Sequence, residues 1–422
     1  MLLVTLGVTL VLGLSLASYL MLTRWQHVSV VRSQAWNTAM ALAEAGIEEA
    51  MAQLNPSALI FGTNINRSAN GWTLQADGMY HAPRRYLPGG YYDVAMTQDT
   101  FPVVYATGSV PIPALSATVS RTVKVTTTTG SIFRGAMVAL DDIDLKGFNI
   151  TTDSFDSNSE TYSTSGLYDP AKRKAGGDVA SSEGMINVQN AKIMGTLYTA
   201  PEGNFTIGAG GSVGSLGWVL GGSSGVEPGH YKNDFNMDLP SVLPPYQTAV
   251  LPDGDVIDGT NYTWILGYGN YMYAEPKGAN FKTGDSILVV GRARVYVTGD
   301  FIMQGGSSII IAPGASLELY VGGANTTIST LNNAGNCSTF SYFGLPGNTS
   351  IDLSGNATFL GSIYAPNAGL VLSGGGGNIT DFQGACAVRG IGMNGHFNFH
   401  FDENLMRKGP VRGYQITSWT EI

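Results

Sequence analysis

Residues 2–23, LLVTLGVTLVLGLSLASYLMLT, carry no charged side chain. About 20 helical residues at ~1.5 Å rise cross the ~30 Å hydrocarbon layer of a bilayer, so this run is long enough to span one. A helix that is apolar all round is not satisfied by packing one side on a soluble domain; it needs lipid or other helices around it. A cleavable signal peptide is the alternative. That needs a basic segment, then a shorter apolar core, then a small-residue cleavage site. Here the first charge is Arg24, and the helical pattern simply continues.

Past Arg24, apolar residues recur at Trp36, Ala39, Met40, Ala43, Ile47, Ala50, Met51 and Leu54, steps of three and four that trace one helix face. Glu44, Glu48 and Glu49 lie off that stripe, and Asn55-Pro56 stops the helix. The prediction is one helix over 1–55, roughly 80 Å long. Its second half is one-sided and is expected to lie on a domain of the same chain.

An apolar amino terminus running into one long helix and then a β-rich head resembles the type IV pilin-like family. Ser33–Asn55, SQAWNTAMALAEAGIEEAMAQLN, is similar to the PilX-type pilus-assembly segment, with its alanine- and glutamate-rich run at Ala41–Ala50. In that family a prepilin peptidase removes a short basic leader just before the apolar run. This sequence starts inside the run, as a processed chain would. Most major pilins have Glu at the fifth mature position; residue 5 here is Thr, and PilX-type segments commonly lack the Glu.

The resemblance implies a structural subunit of an extracellular type IV pilus-like filament at the cell surface, anchored in the inner membrane before assembly. The implied partners are copies of itself or other pilin-like subunits, the pilus assembly machinery and the prepilin peptidase. The helix-packing interface would then use Leu2, Leu3, Leu6, Gly7, Leu10, Gly13, Leu14, Ala17, Leu20 and Met21. Gly7, Gly13, Ser15, Ala17 and Ser18 are small enough to allow close approach.

Residues 56–130 read as a small antiparallel β region. Residues 57–90 are irregular and rich in Asn, Gly and Pro; Tyr91–Met96, Val103–Gly108 and Thr118–Thr128 then alternate in the manner of strands. Near residue 131 the chain becomes repetitive. Ile351-Asp-Leu353-Ser-Gly355 recurs as Leu370-Val-Leu372-Ser-Gly374 and as Ile391-Gly-Met393-Asn-Gly395. Earlier copies begin at Ile143, Ile186 and Phe205, and Phe359-x-Gly361 returns as Phe382-x-Gly384. A period near 20, with inward apolar pairs and Gly or Asn corners, signals a parallel β-helix of about ten coils, which we expect to be right-handed.

The expected fold is therefore mainly β: a long amino-terminal helix, an antiparallel meander, then the solenoid over 131–405. A Pro-rich excursion is expected near 222–285, and a cap or returning strand over 406–422, where Tyr414, Ile416 and Trp419 lie. The closing pattern from Gly384 to Leu405 resembles the β-helical heads attached to PilX-type segments.

Chemistry is sparse. With 22 Lys+Arg against 31 Asp+Glu and no basic stripe, nucleic acid is not an expected partner. Many β-helices are polysaccharide lyases or hydrolases, but Asp141, Asp142 and Asp144, like Asp253, Asp255 and Asp258, read as solvated turns. His396 and His400 are about 13 Å apart along one strand, too far to share a metal ion. They are expected to form an outer-face ladder with Asp402, while Phe397, Phe399 and Phe401 face inward. No catalytic residue, metal site or cofactor is assigned, and the chain is not expected to be an enzyme. Cys337 and Cys386 are either one disulfide or two buried thiols. Two alternatives stand beside the filament reading: a membrane-anchored β-helical adhesin that never polymerises, and a β-helical carbohydrate-active enzyme.

Overall fold

The computed structural model describes residues 2–55, 70–99, 101–147, 149–353, 358–373, 380–394, 396–408 and 411–422. Pro56 and the corner glycines Gly355, Gly374 and Gly395 lie outside them. The chain divides into two compact units. The first holds Met1–Pro56, Asn64–Thr129 and Gly413–Ile422; the second holds Gly130–Arg412, with Ser57–Thr63 also assigned to it but outside the described residues.

In the first unit a single helix runs from Leu2 to Leu54. Three long strands follow, Gly90–Met96, Val103–Ile112 and Ala117–Ser131, paired antiparallel in sequence order. The short strands Thr73–Leu74, Tyr80–His81 and Arg85–Leu87 extend this meander. The last strand, Val411–Glu421, adds beside Ala117–Ser131 and ends the sheet. Thr126 meets Thr417 while the Thr122 carbonyl accepts from the Ile422 N–H, so the two strands run in opposite directions.

The second half of the helix packs on this sheet. Ala39, Ala43, Ile47, Ala50 and Leu54 are buried against Val94, Val104, Ala106, Val123 and Val125. Alternation on the strands supplies one apolar face, and the three-to-four spacing on the helix supplies the other. Small residues let the layers close up. A Cβ added at Gly108 would stand 2.0 Å from the Ala39 carbonyl oxygen and 2.6 Å from the Ala43 nitrogen, so only glycine fits there. Trp36 was expected on the buried face, but it is half exposed and lies under the Arg121 guanidinium, 4.7 Å from ring centre to carbon. The buried register begins at Ala35 instead.

The second unit is a parallel β-helix. The repeat phrases fall in one column: Ile351 pairs with Leu370, Leu370 with Ile391, Ile391 with Ile143, Ile143 with Ile186, and Ile186 with Phe205. The stacking order is not the sequence order. Met137–Ala139 pairs with Val179–Ser181 on one side and with Cys386–Val388 on the other. The last coil in sequence therefore stacks on the first, and the solenoid is circularly permuted. One wall runs through Gly269–Tyr273, Arg292–Val297, Ser316–Val321, Phe340–Gly344, Phe359–Leu372, Thr380–Met393, Met137–Ala139, Val179–Ser181, Leu197–Tyr198 and Tyr231–Lys232, ten rungs. Nine steps of ~4.8 Å make about 43 Å.

This permutation solves a connection problem. A solenoid wound once from end to end leaves its termini at opposite ends, here about 43 Å apart. Yet the strands the chain leaves and rejoins, Ala117–Ser131 and Val411–Glu421, are neighbours in one sheet. Starting and finishing at adjacent middle coils lets both connections stay short.

The excursion expected over 222–285 is narrower and has a definite task. Gly225–Val226 and Tyr231–Lys232 still pair with coils, and Trp264–Leu266 already starts the far end. The chain between carries the connection back along the solenoid. Met237 O accepts from Ser182 Oγ, Pro240 O accepts from Tyr364 Oη, and Tyr246 Oη donates to the carbonyls of Tyr271 and Arg294. At the far end the Val250 and Asp253 carbonyls accept from Met272 and Ile265, which caps the open edge. Pro240, Pro244, Pro245 and Pro252 fit the extended part of this return, because proline has no N–H to leave unpaired there.

Candidate functional site

The side chains of Leu2, of residues 6–27, and of Ser29 and Val30 are exposed, and Val28 is half-buried. Leu2, Leu6, Leu10, Leu14, Leu20 and Met21 are 59–86% exposed. Val8, Val11, Leu12, Leu16 and Leu22, on the other sides of the same helix, are exposed as well. A Cβ added at Gly7 or Gly13 would meet nothing within 4 Å. Ala17 is exposed; the side chain of Leu3 lies outside the described residues. The structure thus singles out no one face. The residues expected from the sequence belong to a bare surface that runs right round the helix.

Burying one such Leu or Val is worth ~1.5–3 kcal/mol, so a dozen of them in water cost on the order of tens of kcal/mol. The helix is long and apolar enough to cross a membrane. Its two halves therefore differ in their surroundings: its own sheet covers the second half, and the described side chains from Leu6 to His27 in the first half are exposed.

The junction is fixed by polar contacts. Glu49 accepts from Arg85 at 2.8 Å and from Tyr92 Oη at 2.7 Å, which ties helix to sheet. Burial alone would raise the Glu49 carboxyl, but the hydrogen bonds from Arg85 and Tyr92 outweigh it and hold it below its ordinary value. Burial and the Glu49 carboxylate push the Tyr92 phenol up to about 12. At the helix end, Asn55 Nδ2 donates to the Tyr414 carbonyl at 2.8 Å and its Oδ1 accepts from the Tyr414 N–H at 2.6 Å. The returning strand is thereby pinned to the helix terminus.

A buried titratable cluster lies in the second unit, around His400. Phe397, Phe399 and Phe401 face inward as expected, with Phe399 stacked on Phe382 at 4.3 Å. His400 points outward but is not the exposed ladder expected from the sequence; it is 3% exposed. It stands between Asp153, at 2.5 Å, and Asp381, at 3.5 Å. Tyr168, from the loop that follows Thr151–Phe155, stacks on the imidazole at 3.6 Å and donates to Asp153 at 2.6 Å. Burial opposes the charged imidazole, but the two carboxylates prevail and raise His400 above its ordinary value. Arg407 with Asp156, and Lys174 with Glu403, hold the same loop down. Asp153 lies 247 residues before His400 in the chain, so no local spacing marked this cluster.

The pairing of Cys337 with Cys386 is not formed. Both are free and buried. Cys386 is packed in a strand between Ile363 and Met137, and the Cys337 thiol faces Asp402. Burial raises both thiols well above their ordinary value. Among the described residues no three His, Cys, Asp or Glu side chains group as metal ligands.

A family model described as a domain of unknown function (DUF7305) matches residues 265–408, about a third of the chain. No curated protein matches. Among solved structures the chain is similar to the competence-associated pilin ComZ from Thermus thermophilus, at 11% identity over 91% of this chain and 97% of that one, with a TM-score of 0.30.

Proposed function

We propose that this chain is a pilin-like structural subunit of an extracellular filament rather than an enzyme. It would be held in the inner membrane by its apolar helix before assembly, and polymerise through that helix with the β-helix displayed outside. One observation carries the reading: a single 53-residue helix has one half locked into its own sheet and the other half bare on all sides. Packing against other helices can replace lipid around such a segment, and Gly7 and Gly13 would let neighbours approach. The buried cluster around His400 supports the structural side, since Tyr168 and its loop cover it and clamp the solenoid wall.

Immunogold electron microscopy of sheared surface fibres, with antibody against the β-helix, tests this. Label along the fibres, lost when residues 2–23 are deleted, is the expected result. Label confined to the inner membrane, with no fibre carrying it, contradicts the reading and favours a permanently anchored surface protein.

A further inference from the structure

Beside the locked half of the helix lies a groove of about 570 Å³. Ile47, Met51, Tyr414, Ile416 and Trp419 make its apolar lining, and Glu44 and Glu48 stand on its rim. Ile416 and Trp419 are both more than 40% exposed, which is unusual for such residues beside an otherwise closed core. The strand that carries them ends the sheet, so its outer edge is unpaired among the described residues. An exposed edge strand of this length is normally covered.

The charges on the helix are segregated. Arg24, His27 and Arg32 are exposed on the bare side, and Glu44 and Glu48 are exposed on the groove side. Among the described residues none of these five is within ion-pair distance of an opposite charge, and Glu44 lies only in the wider field of Arg121, which pairs with Glu421. Two copies anchored in one bilayer by the same end point the same way, so their helices lie parallel. From Arg24 to Glu44 is 20 residues, and from Arg32 to Glu48 is 16. A parallel shift of about 18 residues, or about 27 Å at ~1.5 Å per residue, brings both arginines within about 3 Å axially of a glutamate on the neighbour. The same shift sets Trp25 of one copy beside Ala43–Ile47 of the other, at the mouth of the apolar lining.

We infer that this groove receives the Trp25–Arg32 stretch of a second copy of the chain, shifted by about 27 Å along the helix axis. Trp25, which is exposed in the single chain, enters the lining beside Ile47 and Trp419, and Arg24 and Arg32 meet Glu44 and Glu48. This inference rests on the subunit reading above and gives that reading a register.

The test uses the full chain in cells that assemble filaments. Trp25→Cys with Trp419→Cys, under mild oxidation, should give covalent dimers and a ladder on a denaturing gel. Leu12→Cys with Trp419→Cys, about 20 Å away along the helix, should not. The native thiols are buried and do not interfere. Glu44→Lys with Glu48→Lys should lower filament yield by about tenfold, and adding Arg24→Glu with Arg32→Glu should restore it to within about twofold. Filaments that form without the Trp25–Trp419 link and ignore the charge reversal overturn this register while leaving the subunit reading intact. A wild-type chain that never enters filaments overturns both.

Discussion

Gly108→Ala should loosen the helix from its sheet. The new Cβ would sit 2.0 Å from the Ala39 carbonyl oxygen, 2.6 Å from the Ala43 nitrogen and 2.9 Å from Leu42 Cβ, whereas ordinary contact begins at 3.4 Å. Two of these atoms are backbone, so no side-chain rotation relieves the clash, and the helix must shift outward by about an ångström. Overpacking of this kind costs ~1–3 kcal/mol. For a unit of this size that is a midpoint lower by roughly 5–10 °C. Trp72 is fully buried in the same core and reports its unfolding. The assay is thermal unfolding of the full chain in detergent by tryptophan fluorescence, with the Trp72→Phe chain as baseline. Gly217→Ala is the control, since its Cβ meets nothing within 4 Å. A Gly108→Ala chain that unfolds within about 1 °C of wild type refutes the close approach on which the locked half depends.

Gly13→Leu should leave the Trp72 transition unchanged, because nothing lies near Gly13, yet reduce filament yield if helices pack closely there. Filament counts by electron microscopy check this. Glu49 is held below its ordinary value of 4.5, so its share of stability is present above that pH and lost as pH falls through the lower folded value. The Trp72 midpoint should therefore drop on acidification more steeply in wild type than in Glu49→Gln. Cys337 and Cys386 should resist alkylation in the native chain and both react once it is unfolded, with a reductant leaving the melting profile unchanged; mass spectrometry reads the adducts.

The helix, the meander and the solenoid were legible because each rests on a local period. The six repeat phrases beginning at Ile143, Ile186, Phe205, Ile351, Leu370 and Ile391 stack in one register, as side-chain alternation requires. Stacking order was not legible. Ile391 meeting Ile143 is a contact between coils about 250 residues apart, and the period is the same whichever coil lies next. The Pro-rich excursion appeared broader than it is because the short pairs Gly225–Val226 and Tyr231–Lys232 carry no apolar repeat. Parity placed His400 outward correctly but could not foresee that Tyr168, from a distant loop, would bury it. In the candidate interface, the bare helix was visible from the missing charges alone. The groove beside it needs Tyr414, Ile416 and Trp419 returning from the far end of the chain, and no spacing announces that.

A fluorophore at Leu12→Cys, compared between dilute membranes and sheared fibres, asks directly what surrounds the apolar half of the helix. The account predicts an apolar environment in both, with strong self-quenching between copies only in the fibres. A probe that stays unquenched and in contact with lipid, or a chain absent from the sheared fraction, contradicts it.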